Sequence, residues 1–154
     1  MTLFRKYLAN ENGTIAIETA LIIPLLIATG LGAADVSNYL LQNHKMESGL
    51  VSAGRYLALV QYPESMELGA KRLATTGRVD ASGDAVLNNW AASDVTITYR
   101  VTDNDDDLYR GGNEIMTVKI SSQIPYKGFG FLNGVTGGST LKASYEERIV
   151  RGGT

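Results

Sequence analysis

From Thr14 to Ala34 the chain reads TIAIETALIIPLLIATGLGAA, 21 residues in which Glu18 is the only ionisable side chain. As an α-helix this stretch is about 31 Å long, enough to cross a hydrocarbon core of ~30 Å. Its flanks are unequal: Arg5 and Lys6 precede it, while the first charge after it is Asp35 and the next lysine or arginine is Lys45. The positive-inside rule then keeps the N-terminus in the cytoplasm and exports the bulk of the chain. Phe4, Tyr7 and Tyr39 are placed to anchor the two interfaces. Two simpler readings compete. One is a secretory signal cut at Gly32-Ala33-Ala34 before Asp35, although the apolar stretch is longer than a usual h-region. The other is an uncleaved anchor.

The remaining composition narrows the class. A formal net charge of -2 on 154 residues supplies no basic stripe to neutralise phosphates, which argues against nucleic acid as a partner. Cysteine is absent, so the fold has neither disulfides nor thiol chemistry to draw on.

A carboxylate inside a span costs roughly 2.5 to 3.5 kcal/mol at a helix centre, so Glu18 calls for a partner. The span holds no lysine or arginine. Proteolysis after Gly13 would create a cation: Thr14 would become the new N-terminus, with Glu18 as the fifth residue of the shortened chain. The two groups would lie about one turn apart on one helix, and in a staggered bundle the carboxylate of one subunit could meet the ammonium of the next.

A basic leader ending in Gly13, followed by an apolar helix with Glu at the fifth position, resembles the leader of type IV pilins that a prepilin peptidase removes. The longer string GTIAIETALIIPLL, from Gly13 to Leu26, resembles the TadE-like pseudopilins of the tight-adherence (Tad/Flp) pilus system. Ser52-Ala53-Gly54-Arg55-Tyr56 is similar to the small-residue, arginine-containing segment that follows the span in that family. The resemblance covers about residues 12 to 60, with a final strand similar to the family's last one. One departure is Thr19, where many relatives carry an aromatic residue. The resemblance implies a minor pilin of the inner membrane with an exported, periplasmic C-terminal part, which enters the extracellular filament or its initiating complex. It also implies partners: the prepilin peptidase, other pilin and pseudopilin subunits, and the assembly platform in the membrane.

Within the span, Ala16, Ala20, Pro24, Ala28 and Gly32 recur every fourth residue, a ridge of small or bent residues that allows close helix packing in lipid. Alanine and glycine are also common in any span. Pro24 removes one helical hydrogen bond and is expected to kink or loosen the helix.

Beyond Ala34, Val36, Leu40, Met46, Leu50, Ala53, Leu57 and Val60 continue a three-to-four-residue period, which extends the helix to about Tyr62 before Pro63. Gly49 and Gly54 are expected to mark close contacts with a sheet. A second helix is read from Glu64 to Thr75, with Met66, Leu68, Ala70, Leu73 and Ala74 as its apolar members and Gly77 as its breaker. The period then becomes two. Val95, Ile97, Tyr99 and Val101 form one strand face, Met116, Val118, Ile120 and Ile124 a second, and Leu141, Ala143, Tyr145 and Ile149 a third. The expected fold is α+β: a leader (1–13), a transmembrane helix (14–34), a helical stalk (35–62), and an exported head (63–154) whose small antiparallel sheet packs on the stalk.

Catalysis finds no positive support. His44 is the single histidine, and Glu146 and Glu147 would point to opposite faces of a strand. Asp103, Asp105, Asp107 and Glu114 reproduce the outer spacing of an EF-hand calcium loop, but Leu108 stands where that loop needs glycine and strands flank it. A solvated hairpin is the favoured reading there, with a weak calcium site as the alternative, and no other cofactor is expected. Phe129, Phe131 and Leu132 lie in a glycine-rich loop, either folded onto the head or exposed to a partner. The functional expectation is assembly through Gly13, Thr14 and Glu18. Its rival is a membrane-anchored extracytoplasmic binding module whose helix is only a tether.

Overall fold

The computed structural model describes residues 11–80, 82–104 and 114–149. One helix, α1 (Glu11–Leu59), contains the span and the stalk without a break. It runs through Pro24, so the missing amide does not end it. Pro63 instead opens a 3-10 turn (Pro63–Met66) that leads into α2 (Glu67–Thr76). This second helix ends on Gly77 at φ 74°, whose N–H donates to the Leu73 carbonyl and closes the last turn.

The head's sheet is an antiparallel meander of β1 (Val95–Asp103), β2 (Glu114–Pro125) and β3 (Thr140–Ile149), in the order β1-β2-β3. The register places Ile97 opposite Ile120, and Ile120 opposite Tyr145, so the alternating apolar residues share one face. That face packs on the stalk. Met46, Leu50, Ala53 and Leu57 of α1 are fully buried with Val118, Ile120 and Leu141 of the sheet. The opposite sheet face stays polar, and Lys119 bridges Glu146 across β2 and β3 at 3.1 Å. The expected α+β architecture is therefore the one found.

Two parts of the sequence reading change. In α2 only Ala70, Ala74 and Thr75 are buried, while Met66 and Leu68 are exposed, because the small residues face α1 and let the two helices approach closely. On α1 between Gly32 and Met46, Val36 and Leu40 point outward, being 42% and 52% exposed. Asp35, Asn38, Tyr39 and Gln42 take the inner face instead.

Residues between α2 and β1 also contribute to the core. Leu87 and Trp90 are buried there, and the Trp90 indole N–H donates to Ser122 Oγ at 2.9 Å. Ser122 in turn donates to the Asp94 carbonyl at 2.8 Å, which satisfies a hydroxyl at an inward-facing strand position.

The stalk glycines mark close approaches. A Cβ on Gly54 would lie 2.7 Å from the Tyr145 ring of β3. One on Gly49 would lie 2.3 Å from the Ala74 carbonyl oxygen and 2.9 Å from the Trp90 ring, so this glycine faces α2 and the tryptophan rather than the sheet. Gly49→Ala should therefore lower the stability of the head by about 1–3 kcal/mol through overpacking against backbone. Gly134→Ala, at a site with open space around it, should stay within about 0.5 kcal/mol of the parent. Chemical denaturation of the full chain in detergent, followed by Trp90 fluorescence, measures both.

Candidate functional site

Along the first half of α1 the side chains face outward. Ile15, Leu21, Leu25, Leu26 and Ile27 are 56–73% exposed, as suits a helix whose surroundings are lipid or other helices. Glu18, the one carboxylate between Thr14 and Ala34, is also exposed, one turn beyond the Gly13–Thr14 peptide bond, which lies within the helix. The Thr29 hydroxyl bonds back to the Leu25 and Leu26 carbonyls, both at 3.0 Å, so it presents no unsatisfied donor to the surroundings. Ala16, Ala20, Pro24 and Ala28 are exposed. Gly32, the last member of that ridge, is covered by the Phe131 ring of its own chain, and a Cβ there would lie 2.9 Å from the ring's Cε1.

The next turn holds the most tightly bonded group at the junction of helix and head. Asp35 has no exposed surface. Its Oδ1 accepts hydrogen bonds from the Tyr126 hydroxyl at 2.5 Å and the Phe129 amide at 3.0 Å, and its Oδ2 accepts one from the Leu132 amide at 2.8 Å. Asn38 donates to the Tyr126 oxygen at 3.2 Å, and the Tyr39 and Tyr126 rings meet edge-on at 5.3 Å. The hydrogen bonds, led by that of Tyr126, hold the Asp35 carboxyl below the usual aspartate range against the opposing effect of burial. Burial, and then the bond to Asp35, push the Tyr126 phenol up.

The loop that supplies these donors is closed on itself. The Tyr126 amide donates to the Ser139 carbonyl at 2.8 Å, and Asn133 ties the Tyr126 carbonyl to the Ser139 amide. Within it α3 (Phe131–Thr136) sits between Gly130 at φ 94° and Gly137 at φ 73°, a backbone that glycine adopts without strain. Gly128 has a different reason. A Cβ there would lie 2.1 Å from the Tyr126 hydroxyl and 2.2 Å from Asp35 Oδ1.

The other residues singled out by sequence are dispersed. His44 is exposed, 3.8 Å from Glu47 on the same helix. Glu146 faces Lys119 on the outer side of the sheet, whereas Glu147, on the inner side, accepts a hydrogen bond from Tyr145. Asp103 is paired with Glu114 in the register that leads into the hairpin loop. Asp105 and Asp107 lie outside the described residues, as do Arg5 and Lys6. Among the described residues no three His, Asp or Glu side chains are grouped to hold a metal ion.

The family model of TadE-like proteins matches residues 13–58. Over that segment the chain is similar to TadE-like proteins. The match opens on Gly13, takes in Glu18 and Asp35, and ends one residue before α1 does. No curated protein and no solved structure matches the chain. The matched segment thus covers nearly all of α1, and the loop that closes on Asp35 comes from outside it. At its far end Gly54 and Arg55 reach Tyr145 of β3, so both ends of the stalk hold the C-terminal part of the head.

Sequence reasoning passed over Asp35, Tyr126 and Gly128 as a group. The available signal was spacing: Asp35, Tyr39, Gln42, Met46 and Leu50 share one helical face, and a polar residue on a core face needs partners. Asp35→Ala should cost the Phe129 and Leu132 amides at least about tenfold in hydrogen-exchange protection, because both lose a charged acceptor. Since the folded carboxyl titrates below its ordinary value of about 3.9, the stabilisation is complete above that pH and is lost as the pH falls through the folded value. The protection of these two amides, corrected for intrinsic exchange, should be flat from about pH 7 to 5 and fall below about pH 4.

Proposed function

We propose that the protein is a minor pilin, or pseudopilin, of a Tad-type type IV pilus, and that it acts by assembly. In this reading a prepilin peptidase cuts between Gly13 and Thr14 at the cytoplasmic face of the inner membrane. The released helix then enters the filament or the complex that starts it, beside other pilin subunits and on the membrane platform. The observation that carries the reading is the TadE-like match, which begins at Gly13 and includes Glu18 five residues later. The exposure of α1 from Ile15 to Leu31 supports it, since a helix that must pack in lipid and then among other helices needs an unoccupied surface.

The mechanism requires no chemistry from the chain itself. Cleavage supplies an ammonium at Thr14. Glu18 of a neighbouring subunit offsets that charge, and both groups gain from meeting in a medium of low dielectric constant. A carboxylate without such a partner raises the cost of burying the helix, so pairing also sets the axial offset between neighbours. The exposed small residues Ala16, Ala20 and Ala28, with Pro24, give the backbone room to approach. The head, fastened to α1 by the sheet and by Asp35, is carried to the position that the helix takes.

Glu18→Ala should abolish or strongly reduce incorporation into filaments while leaving the amount of membrane-inserted protein unchanged. Cell fractionation and immunodetection on sheared pili measure the two separately. Normal incorporation of Glu18→Ala, together with loss of function on replacing Asp103, Asp105 and Asp107, would favour the tethered binding module instead.

A further inference from the structure

The apolar surface of α1 does not stop at Ala34. Val36, Leu40 and Leu41 point outward and are 42–55% exposed. The polar side chains among them are withdrawn from that surface. Asp35 is buried under the loop, and Ser37 bonds back to the Ala33 carbonyl at 2.8 Å. Asn38 and Gln42 turn to Tyr126 and to the Lys127 carbonyl. The first exposed charged or titratable side chains beyond Glu18 are His44 and Lys45.

The loop pinned to Asp35 adds to this surface at the same height. Phe129 and Val135 are 72% and 73% exposed, and Phe131, lying over Gly32, is 40% exposed. Two cations border it, for Lys45 and Lys127 line one groove with Leu41.

From these observations we infer that the head is seated on the membrane. The outward face of α1 is immersed as far as Leu41, Phe129, Phe131 and Val135 enter the interfacial layer of the exported-side leaflet, and Lys45 and Lys127 meet its phosphates. Leu41 lies seven residues beyond Ala34, about 10 Å along the helix, at the far limit of the roughly 5–10 Å over which apolar faces enter the boundary of headgroups and acyl chains. The occupant is lipid because the patch continues the surface of the span. It is fixed to the span's last turn by the Gly32–Phe131 contact, and its border is basic, as suits an anionic headgroup. Two consequences follow. The Asp35 bonds become a requirement of depth, because an unpaired carboxylate could not occupy that level. Seating the helix deeper on the exported side also brings Glu18 toward the cytoplasmic interface, where its charge costs less.

This inference rests on the membrane-anchor reading, and the absence of cysteine makes the two separable by experiment. Single cysteines at Leu25, Leu41, Phe129, Val135 and Leu59, all exposed, would carry nitroxide labels on the full chain reconstituted at low density in vesicles containing phosphatidylglycerol. Collision with oxygen is compared with collision with a water-soluble nickel chelate. The expected ratio of oxygen to nickel accessibility at Leu41, Phe129 and Val135 is several-fold that at Leu59, which lies far along the stalk, and approaches that at Leu25. Ratios at Phe129 and Val135 equal to that at Leu59, or labels shielded from both agents as beneath another protein chain, would overturn the seating while a lipid-like Leu25 kept the anchor. A water-like ratio at Leu25 would overturn both.

Discussion

A carboxylate at the end of a long apolar stretch of helix ordinarily seeks water. Here Asp35 finds a phenol and two backbone amides instead, all from one loop of the head. The arrangement is stable only as a set: the loop can reach the helix because Gly128 has no side chain, and the amides can converge because Gly130 permits a left-handed backbone. With the carboxylate satisfied, the helix needs no exposed polar turn at this level. The head also gains a second attachment, through Tyr126, at the edge of the apolar core built on Met46, Leu50 and Leu57.

That double attachment gives the molecule its mechanical character. The sheet grips the far half of the stalk through Ile120, Val118 and Leu141, with Gly54 admitting Tyr145. The loop grips the near half through Asp35 and Gly32. A displacement of α1 along its axis, such as extraction from a bilayer, would therefore be passed to the head as a unit rather than absorbed in a flexible joint. In the proposed assembly, this would fix where the head lies once the helix has chosen its neighbours.

Much of this was legible in the residues. Strands with clean alternation, such as MTVKI from Met116 to Ile120, announce both their conformation and their buried face. The long apolar run and Pro63 delimit the stalk to within a few residues. The reading failed between Gly32 and Met46 because hydropathy assigns the inner face to apolar residues, whereas Asp35, Asn38 and Gln42 occupy it through long-range hydrogen bonds. Such partners lie some 90 residues away in sequence, and no local pattern reports them. The loop aromatics were ambiguous for the same reason. Phe131 is committed by its contact with Gly32 and Phe129 is left outside, a distinction set by the path of the loop. Gly13 and Glu18 stand out in sequence because their spacing is local, and both lie in the segment that the TadE-like model matches.

Assembly by the proposed route requires that the peptide bond between Gly13 and Thr14 be cut. The most direct measurement is the intact mass of the protein extracted from membranes of its native cells, compared with that from cells lacking prepilin peptidase. A chain beginning at Thr14 in the first and at Met1 in the second is the predicted result. A chain beginning at Met1 in both, or at Asp35 in either, would contradict the assembly mechanism.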